Sequence, residues 1–128
     1  VGHDPSVLRL ATGGHMFIGR TSQAAQDEFY PYYSRYMSLH PSFRTGMPRE
    51  VYDHWVQAGL LAGSPQQIID GILAQHELLG SERFVAQFDP GMPEAAADAN
   101  LELYLTEVLP VIKAETVSED RASSGVTA

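Results

Sequence analysis

Three short stretches carry the residue types that could do chemistry. Gly63-Ser64-Pro65 lies between an apolar run, Leu60-Leu61-Ala62, and an amphipathic stretch from Gln66 to Leu79. Serine is a strong helix cap, and the fixed φ of proline suits a first helical turn. The triplet therefore predicts strand, tight turn and helix. Backbone N–H groups at such a helix start, with the positive end of its dipole, favour a phosphate or another anion. The competing assignment leaves Ser64 as a plain cap and Gly63 as a plain turn residue. Gly13, Gly14 and His15 follow the apolar run Leu8 to Ala11. Glycines there let backbone approach a ligand closely, and an imidazole can hydrogen-bond a bound ring or donate a proton near neutral pH. A loop histidine bonded to backbone is the plainer alternative. Asp89 closes the run Phe84 to Phe88, where a carboxylate either faces a pocket or accepts from the Pro90-Gly91 turn. Gln87 shares its strand face by the period of two.

Other residues invite less. His76 stands inside a predicted helix, and His54 and Trp55 in another, where surface and packing roles dominate. Tyr30, Tyr32, Tyr33 and Tyr36 have a helical spacing that suits packing and subunit contact. The five histidines fall in no two-ligand spacing on one helix face, so no metal site is expected. There is no Gly-x-Gly-x-x-Gly, no phosphate-loop lysine motif and no serine elbow, so nucleotide hydrolysis and serine-hydrolase chemistry have no support.

The elements that must position these residues belong to one domain of 128 residues, 44% hydrophobic and 19% charged. No apolar run approaches the roughly 20 residues of a membrane helix. The formal net charge of −8 opposes nucleic acid, whose phosphates would meet a surface of like sign. With no cysteine there is no disulfide or thiolate chemistry, which suits a reducing, cytoplasmic setting. The first residue is valine, and the expectation is a processed chain or a piece of a longer one.

Leu8 to Ala11 is a strand candidate, broken at Thr12-Gly13-Gly14-His15, with Met16-Phe17-Ile18 a brief extended piece. Thr21 or Ser22 caps a helix to about Leu39, with Ala25, Phe29, Tyr33, Tyr36 and Met37 inward and Pro31 bending or restarting it. A loop to Pro48 precedes a short helix ending at Gly59, with Val51, Trp55 and Tyr52 inward. The helix from Gln66 buries Ile68, Ile69, Ile72, Leu73 and Leu79 and stops at Gly80. Arg83 to Asp89 is the clearest strand. The last helix, from about Pro93 to Lys113, has Ala97, Leu101, Tyr104, Leu105, Val108 and Leu109 facing in. Residues 114–128 form a polar tail expected to be disordered. The order β-α-(α)-β-α-β-α predicts parallel pairing, and three parallel strands leave edges unpaired and call for completion by more strands.

An ordered set of these residues resembles the C-terminal half of bacterial-luciferase-like flavin-dependent monooxygenases. It comprises Val1-Gly2-His3-Asp4-Pro5, Leu8-Arg9-Leu10, Gly14-His15, Thr21, Phe29-Tyr30-Pro31-Tyr32-Tyr33 and Leu61 through Ile69. It continues with His76-Glu77-Leu78-Leu79-Gly80, Arg83-Phe84 with Gln87, and Thr106-Glu107-Val108-Leu109-Pro110. The resemblance spans residues 1–113 and implies an α/β fold, the last three βα units of a TIM (β/α)8 barrel. It implies FMN, or the deazaflavin F420, at the carboxyl end of the strands, acting on a small organic substrate. Gly13, Gly14, Gly63 and Ser64 would then contact the cofactor, and His15 and Asp89 would serve catalysis. The missing N-terminal barrel half, or another copy in a homo-oligomer, would be the partner. The alternative is a non-catalytic half-barrel fragment or subunit that associates through its open sheet edges.

Overall fold

The computed structural model describes residues 11–80, 83–88 and 91–117. In chain order they form β1 (Ala11–Ile18), α1 (Ser22–Met37), a single 3-10 turn (Pro41–Phe43), α2 (Arg49–Ala58), β2 (Leu61–Gly63), α3 (Pro65–Leu79), β3 (Arg83–Gln87) and α4 (Glu94–Leu103). A π-helical turn, Tyr104–Val108, carries α4 on into a further helical stretch, 109–117. The expected element order is therefore present. The expected tail begins too early, because residues 114–117 are helical; residues 118–128 lie outside the described residues.

All strand pairs are parallel, as the βαβ reading requires, but the neighbours differ from those expected. The sheet order is β2-β1-β3. Met16, Phe17 and Ile18 pair with Leu61, Ala62 and Gly63, while Ala11 through His15 pair with Arg83 through Gln87. Three consecutive barrel units would put β2 in the middle with every helix on one side. Here β1 is central, since its eight residues offer one edge to each of two shorter strands.

The strand order also sets the layers. The two crossovers step in opposite directions, β1 to β2 and then β2 back past β1 to β3, and because parallel crossovers share one hand, their helices land on opposite faces. On one face Phe17 and Ala62 pack with Ala25, Phe29 and Tyr33 of α1, Tyr52 of α2, and Met47. On the other, Met16, Ile18 and Leu61 pack with Ile68, Ile69 and Ile72 of α3 and with Val108. The result is a small α/β/α sandwich.

Local chemistry accounts for the helix limits. Thr21 caps α1 by accepting from the Ala24 N–H at 3.1 Å, and Ser64 caps α3 by accepting from the Gln67 N–H at 3.3 Å. Gly80 ends α3 at φ +63° and Gly59 ends α2 at φ +128°, conformations that favour glycine. Pro31 neither stops nor restarts α1, which is continuous across it. Proline removes one intrahelical donor and crowds the carbonyls of the preceding turn. Just before the Asp27 carbonyl that loses its donor, Gln26 O accepts the Tyr52 hydroxyl at 2.8 Å and ties α1 to α2.

Two expected faces are shifted. Leu79, Leu101 and Leu105 are largely exposed rather than inward. In the last helix the buried line runs through Asn100 and Val108, with Leu103, Tyr104 and Ile112 packed beside it. The π-helical turn adds a residue to the repeat just before Pro110, whose ring cannot follow a regular α turn. Asn100, 4% exposed, accepts from the Ile18 N–H at 2.5 Å and donates to Ala96 O at 3.2 Å. Its amide occupies the place along β1 that β3, ending level with His15, does not reach. Replacing Asn100 with alanine is expected to leave the buried Ile18 N–H without its partner. The expected loss is about 2 kcal/mol, read as a lowered urea midpoint at unchanged slope.

Candidate functional site

At the carboxyl edge of the sheet, β1 and β2 end side by side, Ile18 opposite Gly63. The Gly19 N–H donates to the Gly63 carbonyl at 3.1 Å, so the two exits from the strands are locked together. Each leads straight into a helix, and the starts of α1 and α3 therefore stand next to each other. The Ser64 N–H reaches the Ser22 hydroxyl at 3.5 Å across that junction. Gly63 is buried, and a Cβ on it would collide with the side chain of Gln67, which folds back over the turn. A larger residue here would force the flexible Gln67 side chain to swing off the turn.

The donor supply of the junction follows from these bonds. Pro65 has no N–H, the Gln67 N–H is taken by Ser64 Oγ, and the Ile68 N–H by Ser64 O. That leaves the Gln66 N–H of α3 uncommitted. On α1, the Ala24 and Ala25 N–H groups go to Thr21, leaving those of Ser22 and Gln23. Arg20 is exposed immediately before them. Two helix starts, three uncommitted N–H groups and a guanidinium thus suit a singly or doubly charged oxyanion better than Gly63 and Ser64 alone do. Arg20 was not singled out in sequence. It signals only by its place one residue before a helix cap.

The structure separates the other expected site residues from this junction. Gly13, Gly14 and His15 do not form a loop; they lie inside β1, opposite Val85, Ala86 and Gln87. At the rise of an extended strand, His15 is about 10 Å and Gly13 about 17 Å short of Ile18. Glycine is admitted mid-strand here because β3 comes close: a Cβ on Gly13 would stand 2.5 Å from the Val85 carbonyl oxygen. His15 is half-buried against the edges of Tyr33 and Tyr36, with ring centroids 5.6 and 5.0 Å away. Burial, with Tyr36 adding to it, pushes the Tyr33 hydroxyl above its ordinary titration range. Asp89, expected to act with His15, lies outside the described residues. Gln87 does share the His15 level and is exposed.

Beside the junction, α1 and α2 are joined by a charge cluster. Arg49 donates to Asp53 at 2.8 Å and to Asp27 at 2.6 Å, and lies over the rings of Tyr30 and Tyr52 at 5.2 and 5.5 Å. Bonds from Arg49 and then Gln23 hold the Asp27 carboxyl below its usual range. The Arg49–Asp53 half was legible as an i,i+4 pair on a predicted helix; its link to Asp27 was not. Among the described residues no group of three or more His, Asp or Glu side chains could hold a metal ion. No described helix is long and apolar enough to cross a membrane. No family model matches the chain, and no curated protein matches it.

Proposed function

We propose that the chain is the C-terminal portion of a luciferase-like flavin-dependent oxidoreductase or monooxygenase, whose barrel is completed by a preceding polypeptide. One observation of the fold carries most of the weight: two helix starts stand side by side at the carboxyl edge of a parallel sheet, with the exposed Arg20 one residue before the cap of the first. In such a protein the phosphate end of FMN or F420 would be held by the Ser22, Gln23 and Gln66 N–H groups and by Arg20. The flavin supplies the redox chemistry, and the protein binds it, orients it and excludes water. The substrate class is a small organic molecule. His15, enclosed by Tyr33 and Tyr36, would act on a proton from within the sheet. Completion of a barrel asks β3 to leave β1 and lie beside β2; the parallel run of all three strands is common to both arrangements.

The test is the visible absorption of the protein assembled with the polypeptide that completes its barrel. A flavin spectrum is expected, with Arg20→Ala weakening FMN or F420 about tenfold, the worth of one charge-assisted hydrogen bond. An assembled protein that stays colourless in the presence of both cofactors would sink the reading.

A second reading, a non-catalytic subunit that pairs through its sheet edges, is favoured by a different observation. Among the described residues β2 and β3 each have an outer edge with no strand partner, and Val85 is half-exposed on the uncovered face of β3. It predicts a flavin-free homo-oligomer, distinguishable by mass in solution.

A further inference from the structure

We infer that the protein has a binding site for an uncharged, hydroxyl-rich small molecule, of the size and chemistry of a polyol or monosaccharide, in a polar cavity between α1, α2 and α3. The cavity measures about 450 Å³ and is lined by Gln23, Gln26, Arg49, Asp53, Gln57 and Gln67, with Val56 as its apolar member. Its volume is that of a small-molecule site. Its position is also informative: Gln26 donates to Ala62 O at 3.3 Å and Gln67 folds over Gly63, so two of its walls are anchored on the carboxyl end of β2. Ligands of parallel α/β sheets gather at that edge.

The ligand class follows from what each lining group has left to offer. Gln23 spends its amide nitrogen on Asp27 at 3.0 Å, and Gln26 spends its own on the Ala62 carbonyl. A carboxylate and a carbonyl only accept, so both amides must present nitrogen to them, and each keeps its oxygen and a second N–H uncommitted. Asp53 accepts from Arg49 through one oxygen and retains the other. Three acceptors are therefore waiting for donors. Donors remain as well: Arg49 bonds Asp53 through Nε and Asp27 through Nη2 and keeps both N–H groups of Nη1 and one of Nη2, while the amides of Gln57 and Gln67 can turn either way.

Such a lining selects against charge. The ionised oxygens of a phosphate or carboxylate only accept, so such a ligand would leave the three acceptor oxygens without donors and would meet the one lining carboxylate, Asp53. A cation would find a carboxylate already paired to Arg49. A hydroxyl both donates and accepts, so several hydroxyls on one small frame satisfy the acceptors and the remaining donors together. The cavity adjoins the backbone N–H junction and shares Gln23 with it, but it uses side-chain groups, and its occupancy does not depend on the flavin reading.

The experiment uses the full chain, labelled with nitrogen-15, titrated with sorbitol and glucose and, separately, with inorganic phosphate. The side-chain amide resonances of Gln26, Gln57 and Gln67 report the cavity. Backbone amides of Ser22, Gln23 and Gln66 report the junction. Saturable shifts of the three side-chain amides with a polyol are expected, weakened about tenfold by Gln67→Leu and by Gln57→Leu, each removing one hydrogen-bonding group. Gln57 and Gln67 are exposed, and an otherwise unchanged amide spectrum verifies that each variant is folded. Shifts that never saturate, or that persist in both leucine variants, overturn the inference. Stronger shifts of the same side-chain amides by phosphate overturn it as well.

Discussion

Phe29→Ala is expected to destabilise the protein by about 3–5 kcal/mol. Phe29 is fully buried, stacks on Phe17 at 5.2 Å and meets the tilted Tyr33 ring at 5.1 Å, with the Tyr52 ring 6.5 Å away. It is the residue through which β1, α1 and α2 meet. Truncating a buried phenylalanine removes its transfer energy and leaves a cavity, together about 3–5 kcal/mol. Domains of this size are stable by only about 5–15 kcal/mol, so the loss consumes a large part of the margin. The rings around Phe29 are held by their own bonds, Tyr52 to Gln26 O at 2.8 Å and Tyr30 to Met47 O at 2.5 Å. They cannot collapse into the gap without breaking those bonds, which argues for the upper part of the range. Phe29→Leu keeps most of the volume and is expected to cost under about 1.5 kcal/mol. Urea denaturation followed by circular dichroism separates the two. A loss below about 1 kcal/mol for the alanine variant would show that this aromatic layer is not a packed core.

The aromatic layer was partly legible because helical spacing alone places Ala25, Phe29 and Tyr33 on one stripe. The same reasoning misplaced Leu101 and Leu105. A period of 3.6 residues assumes regular turns, and the π-helical turn before Pro110 shifts the phase, so the buried line passes through polar Asn100 instead. Gly63-Ser64-Pro65 was legible down to its hydrogen bond, since capping is local chemistry between residues three apart. The position of Gly13-Gly14-His15 was not. Glycine pairs ordinarily punctuate strands, and only the arrival of Val85 from a distant part of the chain makes them strand residues. The neighbour order of the strands was hidden for the same reason. Each crossover shows that two strands run parallel, but not which edge the next strand takes.

That last choice is testable at one atom. Gly13→Ala is expected to destabilise the protein by about 3 kcal/mol. The upper end of the range for overpacking applies because the obstacle is backbone, which cannot swing aside as a side chain can. The new Cβ would stand 2.5 Å from the Val85 carbonyl oxygen and 3.1 Å from the Val85 Cβ. Relief requires β3 to move off β1 along the stretch Ala11 to His15, loosening its ladder. Hydrogen exchange at Phe84 through Gln87 should therefore accelerate far more than at Leu61 through Gly63, which pair with the other end of β1. In an assembled barrel, where β3 neighbours β2 instead, the Val85 backbone would no longer oppose the methyl group. Gly13 does not adopt a left-handed φ, so alanine would then gain about 0.4–1 kcal/mol by restricting the unfolded chain. The sign of the change decides between the two arrangements. A stabilised Gly13→Ala chain, with unaltered exchange in β3, would refute the pairing of β3 with β1.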